Sequence, residues 1–198
     1  MDRRTFLRHA SLFAAGSALL GGCTRSHSQP SAEGAASDST RYVSPVSLDR
    51  LDVAHSLDAA VTPVDTPRST WEERLSAERF HILFEAGTER AGTSPLLDEK
   101  RRGTFVCSAC HLPLFPSTTK YESGTGWPSF WAPLPGRVDT ERDTKLGYAR
   151  TEYHCQRCGG HQGHIFSDGP DPTGLRYCNN GLALRFVPES TSLPSLRT

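Results

Sequence analysis

The sequence predicts a small, mainly antiparallel β-domain, opened by one or two short helices and closed by a four-cysteine zinc clasp. Three observations point there. After Gly87, short apolar pieces such as TFVCSAC, PSFWAPL, RTEYHC, HIFSD and LALRFV are separated by Gly, Pro, Asn and Asp, the punctuation of strands joined by turns. Helical spacing of apolar residues is confined to about residues 69–86. Two pairs with the same internal spacing, Cys107-Ser108-Ala109-Cys110 and Cys155-Gln156-Arg157-Cys158, each offer two thiolates from one tight turn, and two such turns complete a tetrahedron around Zn²⁺.

The elements follow in order. MDRRTFLRHASLFAAGSALLGGC carries a basic patch (Arg3, Arg4, Arg8) and an apolar run too short to span a bilayer, so residues 1–22 read as an export signal. Arg3-Arg4-Thr5-Phe6-Leu7 resembles a twin-arginine signal, and Leu20-Gly21-Gly22-Cys23 resembles a lipobox, with cleavage before Cys23 and lipid attached to it. The alternatives are an ordinary cleaved signal or a short anchor. Each of these readings puts the mature protein outside the cytoplasm, in a bacterial periplasm or cell envelope, with a lipid anchor on the membrane if Cys23 is acylated. Residues 23–68 are rich in Ser, Ala, Pro, Thr and Asp and read as a flexible tether, with an extra lobe around LDVAHSLDAAV as the alternative.

The folded domain is expected over 69–190, with a tail at 191–198. Thr70-Trp71-Glu72-Glu73 has capping-box spacing, Phe80, Leu83 and Phe84 recur on one helical face, and Gly87 suits the stop. Leu182, Leu184 and Phe186 alternate as the buried face of a strand. The 22 basic and 22 acidic side chains cancel, which leaves no electrostatic footprint for nucleic acid. Hydrophobic content of 36% implies that part of the chain is unpacked.

For the paired cysteines, two disulfides are the competing reading in an oxidising compartment, and a thioredoxin-like redox pair is a third, although no βαβ pattern surrounds either motif. His161 and His164 follow on a glycine-punctuated stretch (Gly159, Gly160, Gly163), and four thiolates already fill a tetrahedral site. That leaves both imidazoles for acid–base work. The remaining thiol, Cys178, sits in RYCNNG. If 176–180 is extended, Arg176, Cys178 and Asn180 share a face, which sets a guanidinium and an amide beside the thiol and favours its thiolate. Blander readings exist for each: an inert buried cysteine, a turn asparagine before Gly181, a core tryptophan at Trp127, a loop aspartate at Asp168.

From about Trp71 to Phe186 these motifs, in this order, resemble the peptide methionine-R-sulfoxide reductases of the B type. The resemblance is carried by Gly87-Thr88-Glu89-Arg90, both cysteine pairs, Ser123-Gly124-Thr125-Gly126-Trp127-Pro128-Ser129-Phe130, His161-Gln162-Gly163-His164-Ile165-Phe166 and Pro172-Thr173-Gly174-Leu175-Arg176-Tyr177-Cys178-Asn179-Asn180. It implies two antiparallel sheets with a structural zinc clasp on Cys107, Cys110, Cys155 and Cys158. It implies reduction of the R epimer of methionine sulfoxide in oxidised proteins or peptides, a repair reaction under oxidative stress. Cys178 would be the nucleophile. His161, His164 and Asn180 would line the reacting oxygen, with His164 preferred as proton donor. Trp127 would pack on the substrate methyl, and Arg176 and Asp168 would be weaker substrate-site positions, Asp168 orienting a histidine.

The chain departs from the pattern at Thr125, where many members carry a second cysteine. The expectation is therefore a one-cysteine reductase, whose Cys178 sulfenic acid is cleared by a small thiol or a thioredoxin-like protein. A retained Cys23 on its tether is the minor alternative. The rival classes are a zinc-ribbon binding module and a catalytically impaired relative.

Overall fold

The structure is a computed structural model and describes residues 61–198; the expected export signal, Cys23 and most of the tether lie outside the described residues. Two helices, α1 (Arg68–Arg74) and α2 (Ala77–Phe84), precede strands β1 (Gly103–Cys107), β2 (Pro113–Pro116), β3 (Lys120–Tyr121), β4 (Ser129–Phe130), β5 (Val138–Asp143), β6 (Arg150–Cys155), β7 (His161–Phe166), β8 (Arg176–Asn179) and β9 (Leu184–Pro188). The strands form two antiparallel sheets, ordered β2-β1-β9 and β3-β4-β8-β7-β6-β5. The mainly β class, the two sheets and the short leading helices thus agree with the sequence.

Local details differ. Pro67 precedes α1 without a side-chain cap, so Thr70 lies inside the helix and the expected capping box does not form. The cap falls instead on α2, where the Ser76 hydroxyl accepts from the Arg79 amide at 3.4 Å. The stop is made by Ala86, in the left-handed region at φ 50°, and not by Gly87. α2 buries Phe80, Ile82 and Leu83, and Trp71 stacks on Phe84 with ring centroids 5.7 Å apart.

An aromatic seam joins the sheets. Phe105 of β1 meets Phe130 of β4 edge-on at 5.0 Å, and Phe115 of β2 stacks on Phe130 at 4.2 Å and packs edge-on against Tyr153 and Tyr177. Each buried ring contributes roughly 2–3 kcal/mol by area removed from water. Leu184 and Phe186 lie on β9 opposite Cys107 and Phe105, but Leu182 belongs to a 3₁₀ turn (Gly181–Ala183) and not to the strand. The turn forms because Arg79 and Ser108 side chains donate to the Leu182 carbonyl at 2.8 and 2.9 Å, withdrawing it from any ladder.

Both ends of the described chain are fastened down. Within the segment expected to be tether, Val64 N donates to Arg157 O and the Arg157 guanidinium donates to Thr62 O, both at 2.8 Å, while Val61 and Val64 pack on the core. At the expected tail, Arg197 N donates to Cys110 O and His111 Nδ1 meets Ser195 O, both at 3.0 Å. Residues on either side of 69–190 thus make contacts with the domain.

Candidate active site

One row of residues crosses the larger sheet. Ser129 on β4 opposes Cys178 on β8, Cys178 opposes His164 on β7, and His164 opposes Glu152 on β6. Directly opposed residues in antiparallel strands present side chains on the same face, so hydroxyl, thiol, imidazole and carboxylate stand in sequence. Close approach of β7 and β8 requires Gly163, since a Cβ there would fall 1.9 Å from the Cys178 carbonyl oxygen.

A β-bulge brings the second histidine to the row. Tyr153 pairs with Gly163 but its neighbour His154 pairs with His161, so β7 carries one extra residue, Gln162. Strict alternation would put His161 and His164 on opposite faces. With the bulge their ring centroids lie 5.5 Å apart, while Gln162 turns away and donates from Nε2 to Cys107 Sγ at 3.7 Å.

Each imidazole is held by its own carboxylate. His161 Nδ1 lies 2.6 Å from Glu152 Oε1, and His164 Nε2 lies 2.8 Å from Asp143 Oδ2. His161 is buried, and burial pushes it below the ordinary imidazole range against the pull of Glu152. Its Nε2 is buried with no partner among the described residues. Asp143 is held well below the carboxylate range by the Lys145 amide, then by His164 and Arg150. Donor atoms of Asp143, Glu152 and His164 lie within 4.8 Å of one another, but the Asp143 oxygens already accept from the Lys145 amide, Arg150 and His164, which makes this a hydrogen-bonded network.

Arg176 precedes the thiol by two positions on β8, as expected. Its guanidinium forks onto Asp168 through Nε (2.8 Å) and a terminal nitrogen (2.9 Å), and lies over the Phe166 ring at 4.2 Å. Asp168 therefore holds the arginine and not a histidine; the carboxylates that orient the histidines are Glu152 and Asp143, which in sequence look like ordinary strand charges. Burial pushes the Cys178 thiol up, against the Arg176 charge and hydrogen bonding with Thr125 and Arg176.

Asn180 follows the strand, and both ends of its amide are engaged: Oδ1 accepts from the Glu89 amide at 3.1 Å and Nδ2 donates to the Gln162 carbonyl at 3.1 Å. Glu89 is the anchor of this corner. Its carboxylate accepts from Gly181 N at 2.5 Å and Leu182 N at 3.0 Å, and its carbonyl accepts from Trp127 Nε1 at 3.1 Å. Sequence reasoning noted Glu89 only as part of a motif, because its partners are about ninety residues away. Trp127 lines a cleft of ≈ 290 Å³ with Leu97, Tyr121 and Ser123. Gly126 before it sits at φ 90°, and a Cβ there would fall 2.9 Å from Ala91, so this turn admits glycine alone.

The four remaining described cysteines lie together, with Cys107 Sγ 3.7 Å from Cys158 Sγ and Cys110 Sγ 3.5 Å from Cys155 Sγ. Disulfides need about 2.05 Å. A tetrahedral ion with metal–sulfur bonds of about 2.3 Å has sulfur–sulfur edges of about 3.8 Å, which these spacings fit. Cys107 is held well below the thiol range by hydrogen bonds from Cys110, Cys155 and Cys158, whereas burial drives Cys155 well above it. Three buried thiols and the half-buried Cys158 thiol at this spacing form a possible metal site.

Residues 75–188 match the SelR domain model. A protein of Agrobacterium fabrum called peptide methionine sulfoxide reductase MsrB is 48% identical over 132 residues, covering 66% of this chain and 98% of that protein. A relative of the same name from Leptospira interrogans is 52% identical over 120 residues, covering 60% and 92%, and one from Caulobacter vibrioides is 48% identical over 133 residues, covering 67% and 84%. The matched span runs from α2 to β9 and contains the thiol, both histidines, the glutamate corner and all four clasp cysteines, so this chain belongs to the SelR family.

Proposed function

We propose that the protein reduces peptidyl methionine-R-sulfoxide to methionine, as a repair enzyme for oxidised proteins. Beyond family membership, the observation that carries this is the cross-strand opposition of Cys178 and His164. Reduction of a sulfoxide needs a nucleophilic sulfur and a proton for the departing oxygen, and this row supplies both. The Cys178 thiolate attacks the sulfoxide sulfur while His164, with His161 beside it, delivers a proton to the oxygen. The sulfur–oxygen bond then breaks, the thioether leaves, and the oxygen ends on Cys178 as a sulfenic acid. Trp127 faces the substrate methyl and keeps water from it. Arg176, fixed by Asp168, favours the thiolate. Asn180 acts by holding the turn behind the thiol.

An external thiol then attacks the sulfenic sulfur, water leaves, and a second thiol resolves the mixed disulfide. The reading is supported by Thr125 beside Cys178 and by the clustering of the other described cysteines in the clasp. Cys107, Cys110, Cys155 and Cys158 would hold one structural zinc, which when bound locks the two cysteine turns together and takes no part in the reaction. Export through a twin-arginine signal and lipidation at Cys23 would set the enzyme in the cell envelope, where a thioredoxin-like protein or small thiol reaches it.

The test is reduction of a blocked methionine-R-sulfoxide with dithiothreitol by zinc-loaded protein, with the S epimer as control. Turnover of the R epimer alone, abolished in Cys178→Ser, is expected. Full turnover by Cys178→Ser would refute the assignment.

A further inference from the structure

Gln162, the extra residue of the β7 bulge, is fully buried, and its side chain and its backbone are held by different parts of the molecule. The side chain crosses from the larger sheet to the end of β1 in the smaller one. There Nε2 lies 3.7 Å from Cys107 Sγ and 3.4 Å from the Gly160 carbonyl oxygen. A carbonyl oxygen only accepts, so the nitrogen end of the amide must face the clasp, and its two hydrogens serve both partners. The Gly160 carbonyl also accepts from the Cys155 amide at 2.9 Å, which ties the same spot to the second cysteine turn. On the backbone side, the Gln162 carbonyl accepts twice from Asn180, from its amide at 2.8 Å and from Nδ2 at 3.1 Å.

These contacts hold the bulge. Side chains on a strand alternate between faces, so slipping β7 into unbulged pairing would carry His161 to the face away from His164. The same slip would pull the Gln162 amide off Cys107. Gln162 Oε1 has no partner among the described residues, so the side chain is held by its nitrogen alone. Burying an amide costs free energy unless it is hydrogen-bonded, and an apolar residue of similar size would fill this place without that cost. What the amide adds is a bond to a sulfur. A metal-bound cysteine is a thiolate, and an N–H aimed at a thiolate makes a charge-assisted bond, stronger than one to a neutral thiol. The grip on the bulge therefore tightens when the clasp holds a metal.

We propose that Gln162 is a positioning residue that couples the cysteine clasp to the catalytic row. The clasp holds its side chain, its place in the bulge sets His161 beside His164, and its carbonyl holds Asn180. A change at the Cys107 sulfur then reaches His161 and Asn180 through this one residue. The inference rests on a metal-binding clasp and on His161 and Asn180 as site residues, and it needs no particular substrate.

The experiment uses full-length protein loaded with zinc or with cadmium, a larger ion that spreads the four sulfurs. Nitrogen-15 NMR reads the imidazole signals of His161 and His164 and the side-chain amide of Asn180. In the parent, exchanging zinc for cadmium should shift the His161 and Asn180 signals. Gln162→Met keeps the length and bulk without the amide; there the same exchange should leave those signals in place, and metal should pass to a chelator about tenfold faster. Signals that ignore the exchange in the parent overturn the proposal, a result that stands even if the variant does not fold. Signals that shift equally in the parent and in Gln162→Met overturn it too. Protein that takes up neither ion, by elemental analysis of the same samples, overturns it through the clasp and leaves the Cys178→Ser activity test untouched.

Discussion

His164 Nε2 lies 2.8 Å from Asp143 Oδ2, so the nitrogen left to exchange a proton with substrate is Nδ1. Asp143 also accepts from Arg150 and from the Lys145 amide, which fixes the carboxylate against rotation. Asp143→Asn keeps the shape but offers an amide that can present its NH₂ to the ring and reverse the tautomer. We expect kcat to fall roughly 10²-fold, the scale of a mispositioned acid–base group. A variant with parental kcat would remove Asp143 from the proton-transfer machinery.

Glu89 satisfies two backbone amides with one carboxylate at a buried corner. Glu89→Gln leaves one oxygen to serve both and brings an NH₂ against Gly181 N. Loss of a charge-assisted bond to a buried donor costs about 1–3 kcal/mol, readable as a lower urea midpoint. Reduced kcat should accompany it, because the same corner holds Asn180 and Trp127.

The clasp should bind one zinc per chain, measured by elemental analysis of protein purified without chelator. Cys110→Ser, or prolonged chelation, should lower the melting temperature by more than about 10 °C, since structural zinc supplies folding free energy directly. Equal melting with and without metal would mean that metal at the clasp adds nothing to the stability of the fold.

Thr125→Cys places a second thiol next to Cys178. Exposure to a sulfoxide substrate without reductant should then join the introduced thiol to Cys178 in a disulfide, seen as the loss of two hydrogens in intact mass. The parent protein should instead carry one added oxygen, trappable by dimedone. A disulfide at Cys178 in the parent would sink the external-reductant reading.

Burial holds His161 below the value of about 6.5 expected in an unfolded chain. With the folded value the lower one, the unfolded chain binds the proton first, so stability present above about pH 6.5 is lost as pH falls toward the folded value. Melting temperature should drop between about pH 7 and 5, and His161→Asn should flatten that slope. An unaltered slope would assign the acid sensitivity to other groups.

The clasp was legible because its spacing is local: two cysteines three positions apart in each turn, repeated once. The strand texture and the α2 face were legible for the same reason. The roles of Asp143, Glu152 and Glu89 were not, because each depends on a partner brought by strand register or by a long return of the chain. The bulge at Gln162 leaves no composition signature, yet it decides that two histidines three apart share a face. Thr70 failed as a cap because Pro67 starts the helix earlier, and Leu182 left its strand because Arg79 and Ser108 capture its carbonyl.

The fastenings at the two ends of the described chain meet different halves of the same clasp. The leading segment is tied to Arg157, between Cys155 and Cys158, and the trailing segment to Cys110 and His111. A mechanical pull on either end of the described chain therefore reaches the domain at a cysteine turn. A bound metal would cross-link the two cysteine turns, so part of that force would be borne at the clasp. In a force-extension experiment, stripping the metal should lower the first rupture force in a pull from either terminus.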